Sequence, residues 1–294
     1  MARRSASPAC NSGICHPSPL CRLCRGEGRS RCDEREGLRP LVRLFVLLAS
    51  LGLGTAAEAD DTSAVYAATW AGLPAAHIRL TLHDAADGYR SEIAISSEGL
   101  PHLVTHFRGT AVAEGKLGAA TVHPQRFDAD YDLRRRKDRK LRMAFVARDG
   151  AVFADRGAQD TSRKPPLKEP FRRNVIDPLS AITAIRAAVR NGDASFTIPV
   201  YDGARRFDAK VRVLPRNPTE PGVHLALLLH AIAGFKGETS EDGDPDDAPR
   251  PVSLTLSDDA RLMPLAMSVN IWFLPLDAVL ERYCTAAAPC RWER

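Results

Sequence analysis

Two adjacent stretches decide the fold: Asp177-Pro-Leu-Ser-Ala-Ile-Thr-Ala-Ile-Arg-Ala-Ala-Val-Arg-Asn-Gly192, and then Phe196-Thr-Ile-Pro-Val-Tyr-Asp-Gly203 with its return Phe207-Asp-Ala-Lys-Val-Arg-Val213. In the first, Asp177 is an N-cap residue type, Pro178 fits the first helical position, and Asn191-Gly192 supplies the helix stop. Leu179, Ile182, Ile185 and Val189 recur at helical spacing, so they are placed against a sheet. Arg186 and Arg190 fall in the last turn, where the helix dipole favours cations, and are expected to face water or a partner. The second stretch alternates apolar and polar residues on both sides of Asp202-Gly203, which predicts a β-hairpin.

Working outward, period-two alternation dominates the rest of the chain. It runs through 65–70, through Ile78, Leu80 and Leu82, and through 89–97 beyond the Asp87-Gly88 turn. Phe127, Ala129, Tyr131 and Leu133 form a strand answered by Leu141, Met143 and Phe145. Residues 223–234, 252–256 and 265–273 complete the set, and 156–172 reads as a polar, proline-containing loop. The expected fold is mainly β: an antiparallel curved sheet, sandwich or half-barrel of roughly ten strands, with one packed helix at 177–191.

The front of the chain differs. Residues 1–40 are rich in Arg, Ser, Pro and Gly and hold Cys10, Cys15, Cys21, Cys24 and Cys32, with no hydrophobic periodicity. One CxxC without a second ligand pair does not make a zinc site. Next, Leu44-Phe-Val-Leu-Leu-Ala-Ser-Leu-Gly-Leu53 precedes Ala57-Glu58-Ala59, the apolar run and small-residue cleavage pattern of a signal peptide. That run is short against the roughly 20 apolar residues of a membrane span. Residues 1–40 are therefore read as a spurious or disordered leader, with translation expected to start near Leu41 or Val42, and 41–59 as the signal peptide. Residues 60–294 are expected to form a single β-rich domain exported to the periplasm of a Gram-negative cell.

The net charge of +5 comes largely from that front segment. Nine of the 41 basic and five of the 36 acidic residues precede residue 60, leaving 32 against 31, so nothing argues for nucleic acid binding. Cys284 and Cys290 remain, and in an oxidising compartment they are expected to pair as a disulfide.

Local clusters supply the site candidates. Asp128, Asp130 and Asp132 alternate on the polar face of their strand and are expected to pair with Lys140 and Arg142 across the hairpin. The hairpin tip, Arg134, Arg135, Arg136, Lys137 and Arg139, reads as a solvated turn or as a dock for an anionic partner such as lipid head groups. Residues 99–106 are expected to make a helical turn bringing His102 and His106 together, but no third metal ligand accompanies them. The acidic loop 238–250 lacks EF-hand spacing and reads as a solvated insertion. GxSxG, P-loop, dinucleotide-glycine and HExxH patterns are missing, and no cofactor is implied.

The order of short motifs resembles a family of exported bacterial proteins, domain of unknown function 3108 (DUF3108). The resemblance lies in Trp70-Ala-Gly-Leu-Pro-Ala75, Asp177-Pro-Leu-Ser-Ala181, Ile198-Pro-Val-Tyr-Asp-Gly203, Gly234-Phe-Lys-Gly237 and Leu254-Thr-Leu-Ser-Asp-Asp259 leading to Leu262-Met-Pro-Leu265, across roughly residues 63–280. It implies an exported β-rich domain and carries no catalytic residues. The expected function is a non-enzymatic envelope protein offering an apolar groove to lipid or to an envelope partner protein. The alternatives are a structural assembly factor and a periplasmic hydrolase of glycan or lipid, the latter using Asp128, Asp130, His102 and His106.

Overall fold

A computed structural model describes residues 60–118, 121–134, 136–161, 165–235, 248–271, 274–284 and 289–290. The expected leader, the signal peptide, Arg135 and most of the acidic loop lie outside the described residues, as do the side chains of Arg136 and Lys137. The strands are β1 (Asp60–Trp70), β2 (Leu73–Asp84), β3 (Tyr89–Ser97), β4 (Arg108–Leu117), β5 (Val122–Leu133), β6 (Arg136–Arg148) and β7 (Ala151–Arg156). After a loop come β8 (Ser195–Tyr201), β9 (Arg206–Val213), β10 (Val223–Ala233), β11 (Arg250–Leu256), β12 (Pro264–Ile271) and β13 (Leu274–Cys284). Among the described residues two α-helices interrupt them, the short α1 (Gly99–Thr105) and α2 (Pro178–Arg190), together with one turn of 3-10 helix at Glu169–Arg172.

All strands join one 13-stranded antiparallel sheet, in the order β7-β6-β5-β4-β3-β2-β1-β13-β12-β11-β10-β9-β8. Each strand pairs with its neighbour in sequence except at the break between β7 and β8, and β1 pairs in addition with β13, joining the two halves. The sheet curls into a nearly closed barrel whose edges are β7 and β8. These edges do not pair with each other; both are met by residues 173–176. Arg173 bridges Phe153 of β7 and Ile176 bridges Val200 of β8. Asn174 donates from its amide to the Val152 carbonyl (2.6 Å), Ile176 to Pro199 (2.9 Å), and Tyr201 returns to Ile176 (2.9 Å).

The structure has three strands beyond the ten that alternation picks out: β4, β7 and β13. β4 hides because its inward positions, Gly109, Ala111, Ala113 and Gly115, carry almost no apolar side chain. Larger residues would not fit. A Cβ on Gly115 would stand 2.4 Å from the His123 carbonyl and 2.6 Å from the Tyr89 ring. β7 is a short edge strand, and β13 carries Pro275 and is out of step with β1 at a bulge near Val65/Tyr66. Cys284 and Cys290 form a disulfide at the end of β13, with Cα atoms 5.3 Å apart.

The helix stands where the sequence places it, but its surroundings differ. It lies inside the curve of the sheet, against β3, β4, β5 and β8, so it is covered on more than one face. Arg186 is consequently not turned to water or a partner: it is 4% exposed. Its guanidinium donates to Asp84 Oδ1 (3.2 Å) and twice to the Arg261 carbonyl (3.0 and 2.7 Å), and lies 2.9 Å from Asp84 Oδ2. A buried cation is tolerable only with this degree of pairing. Arg190, one turn on, is exposed and reaches only the edge of the same carboxylate at 3.6 Å.

Arg186→Ala is therefore expected to cost about 2–3 kcal/mol, because it leaves Asp84 and a backbone carbonyl unpaired. Arg190→Ala should change stability by less than about 0.5 kcal/mol. Urea denaturation of the two variants checks this, and equal midpoints would contradict the placement.

Candidate functional site

The start of α2 is built from buried polar groups. Asp177 is fully buried and caps the helix, accepting from the Leu179 amide (3.0 Å), the Ser180 amide (2.8 Å) and the Ser180 hydroxyl (2.5 Å). Ser180 thus spends its one proton on the carboxylate, so Tyr89 of β3 donates to Ser180 across 2.5 Å. Ser91 and Thr183 hydrogen-bond at 3.2 Å one turn further on. Asp177, Ser180, Thr183 and Arg186 make a polar stripe, tied to β3 and to the ends of strands on the far side. Burial pushes the Asp177 carboxyl up to about 6, against the opposing pull of its hydrogen bonds from Ser180 and Leu179. Burial likewise holds the Tyr89 phenol above its ordinary value.

The other side of α2 is apolar and is only partly packed. Pro178, Ala181, Ile182 and Ile185 face a cavity of about 380 Å³, walled by inward side chains that include Ile78, Ile93, Leu229, Val252 and Val269. The hydroxyl of Tyr66 is the polar side-chain group on this wall, and it already donates to the Pro264 carbonyl (2.9 Å). Met267, which also lines the cavity, is 38% exposed, so the space is reachable from solvent. Such a lining offers contact to hydrocarbon and no hydrogen bond to a polar ligand.

A second hollow, about 420 Å³, lies on the wall beside Arg79, Arg108, Asp130, Tyr131, Asp132 and Asp138. Its charges are largely spent on one another. Arg142 Nε lies 3.6 Å from Asp128, directly opposite it across the hairpin, and its Nη2 reaches diagonally to Asp130 at 2.5 Å, although the register sets Lys140 opposite Asp130. Asp132 accepts from the Asp138 amide at 2.8 Å. Asp128 and Asp130 are thus ion-pair partners on an outer face, a setting unlike the apolar pocket that keeps a glycosidase acid protonated.

His102 and His106 do meet on α1, their rings edge to face with centroids 4.7 Å apart. Among the described residues no group of three or more His, Cys, Asp or Glu is placed to hold a metal ion. Ser97 Oγ lies 3.1 Å from His102 Nδ1 and donates to the Phe107 carbonyl (3.1 Å). Its proton therefore points away from the imidazole, opposite to what a nucleophile and base need. Of the basic turn, Arg134 is exposed and Arg139 is half-buried, donating to the Thr161 carbonyl at 3.1 Å. The residues that sequence reading missed as a site are those of the cavity wall. Their alternation marks them as inward but does not say whether the space between them is filled.

A family model described as "Protein of unknown function (DUF3108)" matches residues 65–279. No curated protein is a significant sequence match. Among solved structures, the crystal structure of a β-barrel-like protein of domain of unknown function DUF1849 from Brucella abortus is similar, with a TM-score of 0.51 and 11% identity. The match covers 76% of this chain and 96% of that one. At that identity the likeness concerns the fold, and it agrees with the nearly closed barrel.

The buried cap gives a pH signature. In the folded protein Asp177 titrates near 6, above its ordinary 3.8, so between those values the native state holds a proton that the unfolded chain releases. Its contribution to stability is full below the lower value and is lost as pH rises through the upper one. Asp177→Asn keeps a capping oxygen without the charge, so its melting temperature should gain on the unmodified protein as pH rises from about 4 to about 6. Parallel melting curves across that window would show that the carboxyl is not the source.

Proposed function

The chain belongs to the DUF3108 family, and from that premise we propose that it is a non-enzymatic envelope protein that holds an apolar chain, such as the acyl chain of a lipid, beside α2. The cavity carries this reading. Its 380 Å³ falls within the range of about 300–1,000 Å³ typical of small-molecule sites, and its wall is hydrocarbon. Each methylene transferred into such a space is worth about 0.8 kcal/mol, so an acyl chain needs no specific polar contact to bind. The polar stripe supports the reading from the other side: it fixes the helix through β3 and Asp84, so the apolar face does not have to close onto β10–β12 for the helix to stay in place.

The export segment read from the sequence puts this binder in the periplasm, where lipids and lipid-linked precursors are the abundant source of apolar chains. A disulfide between Cys284 and Cys290 suits that compartment.

Protein purified from the cell envelope is expected to carry lipid visible by native mass spectrometry, and the delipidated protein to bind a fluorescent fatty acid. Ile182→Trp, which fills the space, should weaken that binding about tenfold or more while the melting temperature stays within a few degrees. Absence of lipid and of probe binding, or undiminished binding by the filled variant, would overturn the proposal.

A further inference from the structure

β8 has a free side that the seam covers for only part of its length. In an antiparallel pair alternate residues bond to the neighbouring strand, and the residues between them turn both backbone groups the other way. Ala194 accepts from the Val213 amide, so the even-numbered residues of this stretch face β9. Pro199 and Tyr201 face away: the Pro199 carbonyl accepts from the Ile176 amide, and the Tyr201 amide donates to the Ile176 carbonyl. Proline fits at 199 because β9 asks no N–H of that position. By the same alternation Ser195 and Thr197 turn their N–H and C=O groups away from β9, and among the described residues nothing pairs with them. Both residues are exposed. A row of unpaired donors and acceptors on a strand edge is the template to which a further strand adds.

The outer wall beside this edge is cationic. Lys210 and Arg212 of β9 stand opposite Thr197 and Ser195 and are exposed, while Ala209 and Val211 alternate with them and are buried. Among the described residues no carboxylate forms an ion pair with either cation; Asp208, next on the same face, is taken by Arg206 at 3.2 Å. Together with Leu228 and Pro251 these residues line an open trough of about 620 Å³. A strand added to β8 would lie about 10 Å from β9, two strand spacings, with only the short side chains of Ser195 and Thr197 between. Glutamate side chains on such a strand cross that gap to meet Lys210 and Arg212. Its alternate residues turn inward beside Phe196, which is only partly buried, and are therefore apolar. A second copy pairing through its own β8 would bring serine and threonine, not carboxylates, to the two cations.

We propose that the 195–197 edge of β8, with Lys210 and Arg212, docks an extended segment of a partner protein that alternates acidic and apolar residues. The apolar cavity lies on the opposite face of β9 and β10, so this surface stands or falls independently of what the cavity holds.

Fluorescence anisotropy of a short labelled peptide of alternating Glu and Val, titrated with the purified protein, tests the proposal. Binding should exceed that of the matching Lys and Val peptide by about tenfold or more, and weaken as salt rises. Thr197→Pro removes an edge donor at a position where β9 needs none, so it should weaken binding about tenfold while the melting temperature stays within a few degrees. Lys210→Glu with Arg212→Glu should reverse the preference toward the Lys and Val peptide. Methylating the backbone nitrogens of the Glu and Val peptide should abolish binding, and Ile182→Trp should bind it as the unmodified protein does. Equal binding of the two peptides, or undiminished binding by Thr197→Pro or of the methylated peptide, overturns the proposal. So does a dimer in solution that Thr197→Pro dissociates without any peptide binding, which would make a second copy the occupant.

Discussion

The two free edges of the sheet, β7 and β8, carry rows of backbone amides and carbonyls that need partners. They do not reach each other. The chain between them supplies the partners instead, with Arg173 and Asn174 serving β7 and Ile176 serving β8. Side chains reinforce the seam: Arg172 donates to the Ala154 carbonyl (2.7 Å) and to Asp155 (2.6 Å), while Arg156 of β7 donates to the Gly203 carbonyl beyond β8. Having paired with Val200, the chain at Ile176 delivers the next residue, Asp177, to the interior. A carboxylate brought there has to be satisfied, and capping the helix that begins at Pro178 does so. The position of α2 inside the barrel thus follows from how the barrel is closed.

A helix inside a barrel alters what its faces must do. One side carries Ser180, Thr183 and Arg186 into contact with β3 and with the Asp84 and Arg261 groups at the far end, giving it directional anchors. The strands there make room: Gly115 and Ala113 of β4 and Ser91 of β3 are small, and Tyr89 reaches over them to Ser180. On the opposite side, Ala181, Ile182 and Ile185 look toward strands rich in Leu and Val across a gap that they do not close. Polar bonds on one side hold the helix at a distance that apolar packing on the other side would otherwise have removed, and a reachable hydrocarbon cavity is what results.

Much of this was legible residue by residue. The β8–β9 and β5–β6 hairpins, the Asp177 cap and the Cys284–Cys290 pair all announce themselves through local chemistry: alternation around a turn, a capping type before Pro178, two close cysteines. β4 was illegible because Gly109, Ala111, Ala113 and Gly115 signal no hydrophobic face, the two glycines being hemmed in by Phe107 and Tyr131 and by His123 and Tyr89. Arg186 was misplaced for a related reason. Helical spacing identifies one apolar face and assigns the rest to water, an assumption that fails when strands surround the helix. The cavity lay beyond sequence reading altogether, since an inward residue looks the same whether or not its neighbour reaches it.

The central claim is that α2 is held off β10–β12, leaving a hydrocarbon-lined space that an apolar chain occupies. A crystal structure of protein purified from the envelope without delipidation tests it most directly. The account predicts elongated density between Ile182 and Ile185 on one side and Leu229 and Val252 on the other, with Asp177 capping the helix and Arg186 bonded to Asp84. A helix packed directly onto β10–β12, with the space closed and no density in it, would contradict it.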